Sequence, residues 1–222
     1  MVEINKSEKM NEFFNKRAAS YDEYMKNNVN NFEEFYKTIA DPIIKTNEKI
    51  KILDIGCGTG LELKYIFEKA PNARIIGVDV SAEMLEILLK KYQDKVDQIN
   101  VVKDSYLTLE FGENKFDYVV SVMTIHHLLY DTKKKLYTKI LKSLNNNGKY
   151  IEGDYVVSEG KEKRLLKQFK KQMNQENLTD GFFHIDIPFS IKTQEKLFKE
   201  VGYRKFDLIF KKKEAAIYVG VK

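Results

Sequence analysis

The sequence predicts an α/β fold built on a mostly parallel sheet, and three features of its pattern carry that prediction. From Lys51 onward, short apolar runs alternate with stretches of helical periodicity, as in consecutive βαβ units. The runs are apolar on both faces, as expected of strands that are covered by helices. The last two runs are joined by a short turn, so one of them must run antiparallel to the rest. The 222 residues suit one domain, with 1–48 as a helical cap and 49–222 as the core.

The individual elements follow in order along the chain. Strands are predicted at 50–55, 73–79, 98–102, 116–123, 148–157, 203–210 and 215–221, and helices at 61–69, 82–92, 132–144, 159–177 and 193–201. Ser81 is a good N-cap for the second of these helices, and the Asn-rich segment 145–148 is expected to end the third. Ahead of the first strand, residues 5–47 are predicted to form two helices.

The first candidate site is a glycine loop within ILDIGCGTG, residues 52–60. A predicted strand ends in Gly56, Gly58 and Gly60 and continues directly into a helix. Glycine is needed where the backbone takes a positive φ or lies against a ligand, so this pattern predicts a nucleotide-type loop. The GxGxG spacing differs from the GxGxxG of pyrophosphate-binding loops, which weakens a dinucleotide interpretation but leaves it open.

Two acidic segments are predicted to meet this loop at the carboxyl edge of the sheet. Asp79 ends the second strand, nineteen residues after Gly60, which is enough for one helix and one strand to return the chain to the loop. A carboxylate there can accept hydrogen bonds from ribose hydroxyls, although a helix-capping aspartate is the alternative. Asp104 and Ser105 follow the third strand and could address an adenine ring, but such a pair is equally typical of a turn.

With these motifs the sequence resembles the class I S-adenosylmethionine (SAM)-dependent methyltransferases of the seven-stranded, Rossmann-like fold. The resemblance covers residues 51–222 and rests on LDIGCGTG at 53–60, GVDVSAEML at 77–85, KDS at 103–105 and FDYVVSVMTIHHL at 116–128. It implies the sheet order 3-2-1-4-5-7-6 with strand 7 antiparallel and helices on both faces. It also implies SAM as cofactor, with S-adenosylhomocysteine as product.

The resemblance assigns roles to individual residues of the cofactor site. Asp54 and the backbone of Gly56 and Gly58 would hold the methionine end, Gly60 would admit a close helix, and Asp79 would hold the ribose. The other implied cofactor contacts are Val80 and Met84 beside the adenine, Asp104 and Ser105 on its ring, and Ser121 and Met123 near the sulfonium. Cys57 occupies a small-residue position of the first motif, and we interpret it as packing.

An N-terminal segment, FFNKRAASYDEYM at 13–25, resembles the cap of many small-molecule members of this family. In that interpretation Arg17 lies near the carboxylate of the cofactor, which suits its planar, bidentate guanidinium, and Tyr21 closes the methionine pocket. The alternative is an amphipathic helix in which Phe13, Phe14 and Tyr21 are simply buried against the core.

The chain holds only three histidines, His126, His127 and His184. Methyl transfer from a sulfonium needs chiefly alignment and exclusion of water, and it needs a base only where the acceptor must lose a proton. His126 and His127 follow the fourth strand at the active edge and are the candidate catalytic bases, although hydrogen-bonded loop histidines are the alternative. His184, within GFFHIDIP, is predicted to contact substrate, unless this segment is a hydrophobic flap.

Composition narrows the possible partners. The net charge of +5 comes from 38 basic and 33 acidic residues, an excess too small and scattered to indicate nucleic acid by itself. The single cysteine excludes an intramolecular disulfide and a zinc site of several thiolates, and no metal is expected. We find neither a signal peptide nor a membrane span, so a cytoplasmic protein is expected.

The acceptor is predicted to be a small molecule. Nucleobase methylases of this fold carry Asn or Asp, two prolines and an aromatic residue after the fourth strand, whereas this chain has Ser-Val-Met-Thr at 121–124. An RNA acceptor, such as a tRNA or rRNA, is the main alternative. A protein side chain, a SAM-binding module without turnover and a nicotinamide-dependent oxidoreductase are further hypotheses.

Overall fold

In the computed structural model, which describes residues 7–222, seven strands form one mixed sheet. They are β1 (Lys51–Ile55), β2 (Arg74–Asp79), β3 (Ile99–Lys103), β4 (Phe116–Val122), β5 (Leu144–Tyr155), β6 (Lys205–Lys212) and β7 (Ala215–Val221). Their order is β3-β2-β1-β4-β5-β7-β6, and β7 runs antiparallel to both of its neighbours. The predicted fold class and strand order are therefore confirmed.

Helices cover both faces of the sheet. The α-helices are α1 (Met10–Arg17), α2 (Tyr21–Asn28), α3 (Phe32–Ile39), α4 (Leu63–Lys69), α5 (Ala82–Lys91), α6 (Tyr130–Ser143), α7 (Glu159–Glu176) and α8 (Ile191–Val201). One apolar cluster joins α3, α4 and α5 to one face of the central strands, and a second joins α6 and α8 to the other face. Within residues 7–222, no helix is long and apolar enough to cross a bilayer.

The segment ahead of β1 differs from the prediction of two helices. It contains three α-helices, with a 3-10 turn at Ala18–Ser20 between the first two. Val29 is extended and Asn31 takes a left-handed conformation with φ 57°, so the chain turns sharply before α3 begins. Asparagine tolerates this conformation, and the break is therefore local. Residues 5 and 6 of the prediction lie outside the described residues.

The junction of α6 and β5 also differs from the prediction. Helix α6 ends at Ser143, and β5 begins at once with Leu144, which pairs with Phe116 of β4. The register then shifts before Tyr118 pairs with Lys149, and Asn147 takes its left-handed conformation, φ 64°, inside this irregularity. The Asn-rich segment therefore forms a bulge-like turn within a strand instead of the helix terminus, because burial of Leu144 already fixes an extended chain there.

Two segments far apart in sequence close over the carboxyl edge of the sheet. The N–H of Met10 donates to the Phe182 carbonyl at 2.9 Å, and the N–H of His184 donates to the Glu8 carbonyl at 3.0 Å. The N–H of Ile187 donates to the His126 carbonyl at 2.7 Å. The start of the cap and the irregular segment 178–190 are thus held together above the ends of β1 and β4.

Candidate active site

The glycine loop has the backbone geometry that its spacing predicted. Gly56 has φ 64°, and a Cβ on it would lie 2.2 Å from Thr124 Oγ1. Gly60 has φ 70°, and its Cβ would lie 3.0 Å from Leu63 and 3.2 Å from Leu88. Both conformations are open to glycine at little cost, and the missing side chain at Gly60 lets α4 and α5 approach the loop.

Asp79 lies at the end of β2 and faces the loop. Its Oδ2 accepts from the Gly58 N–H at 2.9 Å, and its Oδ1 accepts from the Ser81 N–H at 2.8 Å. Burial raises the pKa of Asp79, and these two hydrogen bonds oppose that effect. Because each carboxylate oxygen has a second lone pair, the group keeps the capacity to accept ribose hydroxyls.

Asp54 and Glu62 form a buried carboxyl pair beside the loop. Asp54 is 1% exposed and Glu62 is 4% exposed. Within the described part of the chain, neither oxygen of Asp54 accepts a hydrogen bond from an N–H or O–H group. Burial, and then Glu62, raise the pKa of Asp54. An unpartnered buried carboxyl group suits a cationic ligand such as the ammonium of a methionine moiety.

Beside the glycine loop and Asp79 lies a narrow cleft, which we call the first cavity; its volume of about 510 Å3 includes open solvent. Of the predicted cofactor residues, its wall contains Tyr21, Gly56, Gly58, Asp79, Val80, Met84, Ser105 and Met123. The wall also contains Met10, Phe14, Tyr106, Thr124 and Gly181, which were not predicted as cofactor contacts. Phe14, Thr124 and Gly181 lie within segments quoted above and Tyr106 directly follows one, whereas no local signal marked Met10.

Five other predicted cofactor residues lie outside this wall, in addition to Asp54. Cys57 packs on β2, with its Sγ 2.9 Å from the position of a Cβ on Gly77. The Ser121 hydroxyl shares a hydrogen bond of 2.8 Å with the Tyr150 hydroxyl. Asp104 accepts from the Ser105 N–H at 2.6 Å, as a turn aspartate does. The last two of the five are Gly60 and Arg17.

A second cavity, of about 900 Å3 with open solvent included, adjoins the first. The two share three wall residues, Phe14, Tyr21 and Met123. Further aromatic wall comes from Phe13, Tyr24 and Tyr155, and polar groups come from Arg17, Asp186 and the three histidines. Without the open solvent the cavity holds about 330 Å3, which suits a small ligand.

Arg17 belongs to this second cavity. Its guanidinium lies 3.7 Å from the centre of the Phe13 ring and donates to Glu8 Oε1 at 3.1 Å. The structure therefore pairs Arg17 with a carboxylate of the protein, away from the glycine loop. Tyr21, by contrast, lies between the cavities, and its ring is 4.0 Å from the position of a Cβ on Gly58.

His126 is buried and fixed from behind by Asp154. Its Nδ1 lies 2.5 Å from Asp154 Oδ1, and the N–H groups of Ile125 and Tyr155 donate to the same carboxylate at 3.0 and 2.8 Å. Burial alone would lower the pKa of His126, but the charge and hydrogen bond of Asp154, aided by Asp186, raise it to about 9. In the protein alone, His126 is therefore an imidazolium at neutral pH.

The other two histidines are neutral and share a carboxylate with His126. Asp186 Oδ1 lies 3.2 Å from His127 Nδ1, 3.5 Å from His126 Nε2 and 3.9 Å from His184 Nε2. Burial and the charge of His126 lower the pKa of His127, and burial, followed by His127, lowers the pKa of His184 to about 4. Asp186 was not predicted as a site residue; its only sequence signal is its place two residues after His184.

Comparison with known proteins agrees with this geometry. A family model described as a methyltransferase domain matches residues 52–148. Carboxy-S-adenosyl-L-methionine synthase of Nautilia profundicola is 22% identical, over 97% of this chain and 96% of its own length. Phosphoethanolamine N-methyltransferase of Plasmodium falciparum is 32% identical, over 64% of this chain and 52% of its own length.

A solved structure has the same fold. Phosphoethanolamine N-methyltransferase 2 of Haemonchus contortus, in complex with phosphomonomethylethanolamine and S-adenosylhomocysteine, superimposes with a TM-score of 0.67 at 17% identity. The match covers 94% of this chain and 58% of that one. The similarity to this structure and to the Plasmodium enzyme thus spans a little over half of each.

The sheet order, the glycine loop and the carboxylate at the end of β2 define a nucleoside-binding protein of Rossmann-like type. Together with the methyltransferase-domain match at residues 52–148, they support a class I SAM-dependent methyltransferase with SAM as its cofactor. The cavity at Gly56, Gly58 and Asp79 suits the ribose end of that molecule, and Asp54, whose oxygens accept no hydrogen bond from the described residues, suits its cationic end.

Proposed function

We propose that this protein transfers the methyl group of SAM to a nucleophilic atom of a small molecule held in the second cavity. The observation that carries the proposal is the shared wall of Phe14, Tyr21 and Met123. A cofactor in the first cavity and an acceptor in the second would meet across these side chains, as in-line transfer requires. When bound, SAM supplies a methyl group already activated by its positive sulfur.

The chain's own residues would hold the cofactor by its two ends. Asp54 and the loop at Gly56 and Gly58 would take the methionine end, and Asp79 would accept from the ribose hydroxyls. Val80, Met84 and Ser105 would surround the adenine, since all three line the first cavity. Phe14 and Tyr21 of the cap would exclude water from the reacting centre.

The histidines would receive the proton that an acceptor hydroxyl or ammonium loses. His127 and His184 are neutral at pH 7 and have a basic ring nitrogen, whereas His126 is held as an imidazolium by Asp154. His127 lies deeper, at 2% exposure, on the 3-10 turn that follows β4. We therefore assign the proton-accepting role to His127 and the positioning of the acceptor to His126 and His184.

Two observations support a small acceptor over RNA. The second cavity is walled by aromatic side chains on several sides, and Arg17 in its wall is paired with Glu8 at 3.1 Å, as is the preceding Lys16 at 2.8 Å. Relatives whose names state their acceptors include phosphoethanolamine and malonyl-acyl carrier protein methyltransferases. Carboxy-SAM synthases match nearly end to end, which makes modification of the cofactor itself a second candidate function.

The test is a product search with SAM that carries a 13C-labelled methyl group. The protein is incubated with a metabolite extract and, in parallel, with an RNA extract, and the labelled products are separated and weighed by mass spectrometry. We expect the label in one small molecule together with S-adenosylhomocysteine. Label confined to RNA, or a sulfonium nucleoside gaining the mass of a carboxyl group, would overturn the proposal.

Two variants show whether turnover depends on the proposed site. His127→Gln should lower the rate at least about 100-fold, the lower range of general-base contributions, with SAM affinity within about twofold of the parent. Asp207→Asn changes an exposed carboxylate of edge strand β6 that pairs with Lys205, and it should leave the rate unchanged.

A further inference from the structure

We infer that the second cavity contains a binding site for a divalent transition-metal ion, with Zn²⁺ as the probe, formed by His126 Nε2, His127 Nδ1 and Asp186 Oδ1. These three atoms lie within 4.8 Å of one another. The inference rests on the proposed function only in placing the open side of this site toward the acceptor. It departs from the sequence-based expectation of no metal.

The distances approach those of a coordination shell. Nitrogen and oxygen ligands lie about 2.0–2.1 Å from zinc, which places neighbouring ligands of a tetrahedron roughly 3.4 Å apart. Asp186 Oδ1 is 3.2 Å from His127 Nδ1 and 3.5 Å from His126 Nε2. One ligand atom from each of the three residues already lies within 4.8 Å of the others. The Asp186 side chain is 53% exposed, so it can rotate toward the two buried imidazole rings.

The support behind His126 is the kind that metal-ligating histidines have. Asp154 accepts from the ring nitrogen that faces away from the proposed site, and two backbone N–H groups hold Asp154 in place. Such a carboxylate fixes the tautomer and the orientation of the ring, so that Nε2 is free to bind the metal. Asp154 is 1% exposed, so it is a buried and fixed part of the site.

Charge balance also favours a dication. As metal ligands, both histidines are neutral, so Asp154 and Asp186 together leave a charge of −2 that one divalent ion compensates. Imidazole nitrogens with a carboxylate suit zinc, iron, nickel or copper better than the oxygen-preferring magnesium or calcium. Three protein ligands leave a fourth position open, as in catalytic zinc sites.

The open position faces the acceptor. His184 Nε2, at 3.9 Å from Asp186 Oδ1, lies on the same side and lines the same cavity. A hydroxyl or amine that coordinates the ion here would lose its proton more readily to the water at the open side of the cavity, which is a known action of metal ions on bound nucleophiles. With the ion present, His127 Nδ1 serves as a ligand, and the ion takes over the activation that His127 performs in the protein alone.

Binding must also displace protons. His127 Nδ1 lies 3.2 Å from the Ile185 carbonyl oxygen as well as from Asp186, so in the metal-free chain it donates to these acceptors. His126 Nε2 likewise faces an acceptor, Asp186 Oδ1, at 3.5 Å. Metal ligation needs both nitrogens deprotonated, so Zn²⁺ uptake should release protons to the buffer.

The experiment is a titration of chelator-treated, full-length protein with Zn²⁺ by calorimetry in two buffers of different ionisation enthalpy. Co²⁺ is used in parallel as an absorbing probe with visible d–d bands. We expect one ion per chain and a proton release that is visible as a buffer-dependent heat. Asp186→Asn should weaken Zn²⁺ binding at least about tenfold. Circular dichroism that matches the parent shows that the variant is folded.

Two further variants make the result decisive. Asp154→Asn should weaken Zn²⁺ about 10- to 100-fold through the ligand it orients. Asp207→Asn, on β6, should bind as the parent does. Absence of a stoichiometric ion, or an unchanged affinity in both Asp186→Asn and Asp154→Asn, would overturn the inference. Methyl transfer by the metal-free protein would leave the proposed function standing in that case, whereas metal binding without any transfer would overturn the function alone.

Discussion

At the scale of single residues, the cofactor site depends on two carboxyl groups in different states. Asp79 is satisfied by backbone N–H groups of the glycine loop and of the α5 N-terminus. Asp54 has no such donors among the described residues and shares its pocket with Glu62. Asp79 is therefore held in position before the ligand binds. Burial of the Asp54 carboxyl group, by contrast, destabilises the folded protein until a cation binds to it.

Replacement of Asp79 should weaken SAM binding. Asp79→Ala is expected to cost about 2 kcal/mol, or roughly 30-fold in Kd, because two charge-assisted hydrogen bonds to the ribose are lost. Titration calorimetry measures the loss of SAM affinity. Asp79→Asn keeps an oxygen that can accept from the Gly58 N–H but removes the charge, so it separates the ribose contact from the contact with Gly58. Asp104→Ala is the matched control, since that carboxylate caps its own turn; an equal loss there would contradict the assignment.

Replacement of Asp54 should stabilise the cofactor-free protein as pH rises. The folded-state pKa of Asp54 is raised above its unfolded value, so stability is lost as pH climbs from the ordinary aspartate range toward the raised pKa. Asp54→Asn removes that loss. We expect its melting temperature to equal that of the parent near pH 4 and to exceed it at pH 8. The difference should be about 3 °C for each kcal/mol that the variant gains in free energy of unfolding.

The same substitution should weaken SAM binding, because an amide cannot balance the ammonium of the methionine end. Scanning calorimetry at several pH values, with and without SAM, measures both effects. A variant that is less stable than the parent at pH 8 without SAM would show that the carboxyl group has an internal partner.

At the scale of elements, a buried ion pair ties α6 and α8 to β5. Lys133 Nζ lies 3.3 Å from Glu152 Oε1, and the Gln194 amide donates to the same oxygen at 2.6 Å. Lys133 is 2% exposed and Glu152 is 0% exposed. A pair this deeply buried contributes little net stability, yet removal of one member leaves a charge without compensation.

Lys133→Met should therefore lower the free energy of unfolding by about 3–5 kcal/mol, measured by urea denaturation. Lys134→Met is the matched control, because Lys134 pairs with Glu200 at the surface, and it should change stability by less than about 1 kcal/mol. Combining Lys133→Met with Glu152→Leu should recover part of the loss. A double variant as unstable as Lys133→Met would mean that packing, not charge, dominates.

At the scale of the whole molecule, the cap and the sheet edge form the site together. Helices α1 and α2 supply Met10, Phe14 and Tyr21 to the cavity walls, while the opposite walls come from the ends of the central strands. Since the backbone of residues 8–10 is hydrogen-bonded to the segment 182–184, order in one of these segments favours order in the other.

SAM binding should therefore slow amide hydrogen exchange across α1, α2 and residues 178–188 as well as in the glycine loop. The reason is that a ligand that binds only the closed arrangement stabilises it by mass action, by about 2.7 kcal/mol at 100 times Kd. Exchange mass spectrometry measures this, with the β6–β7 hairpin as the internal control. Protection confined to 56–60 and 79–84 would mean that the cap does not respond to the cofactor.

Particular residues show how far the sequence predicts the site. Gly56, Gly58 and Asp79 were predictable because the loop spacing and one βα unit fix their place at the sheet edge. Asp186 and Asp154 were not, since one lies in an irregular segment and the other inside a strand without a motif. The sequence did identify the three histidines as site candidates. The protonation states of His126 and His127, however, depend on these two carboxylates.

The sequence by itself determined the α/β class, the antiparallel last strand, the glycine loop and, through its family resemblance, SAM as cofactor. The first three follow from periodicity, glycine spacing and loop length, which are local properties of the chain, and the cofactor follows from the resemblance. Only the tertiary structure decided that β5 begins at Leu144, that Arg17 turns to Glu8, and that His126, His127 and His184 meet at Asp186. These contacts join segments far apart in the chain, and their geometry depends on packing that no local pattern encodes.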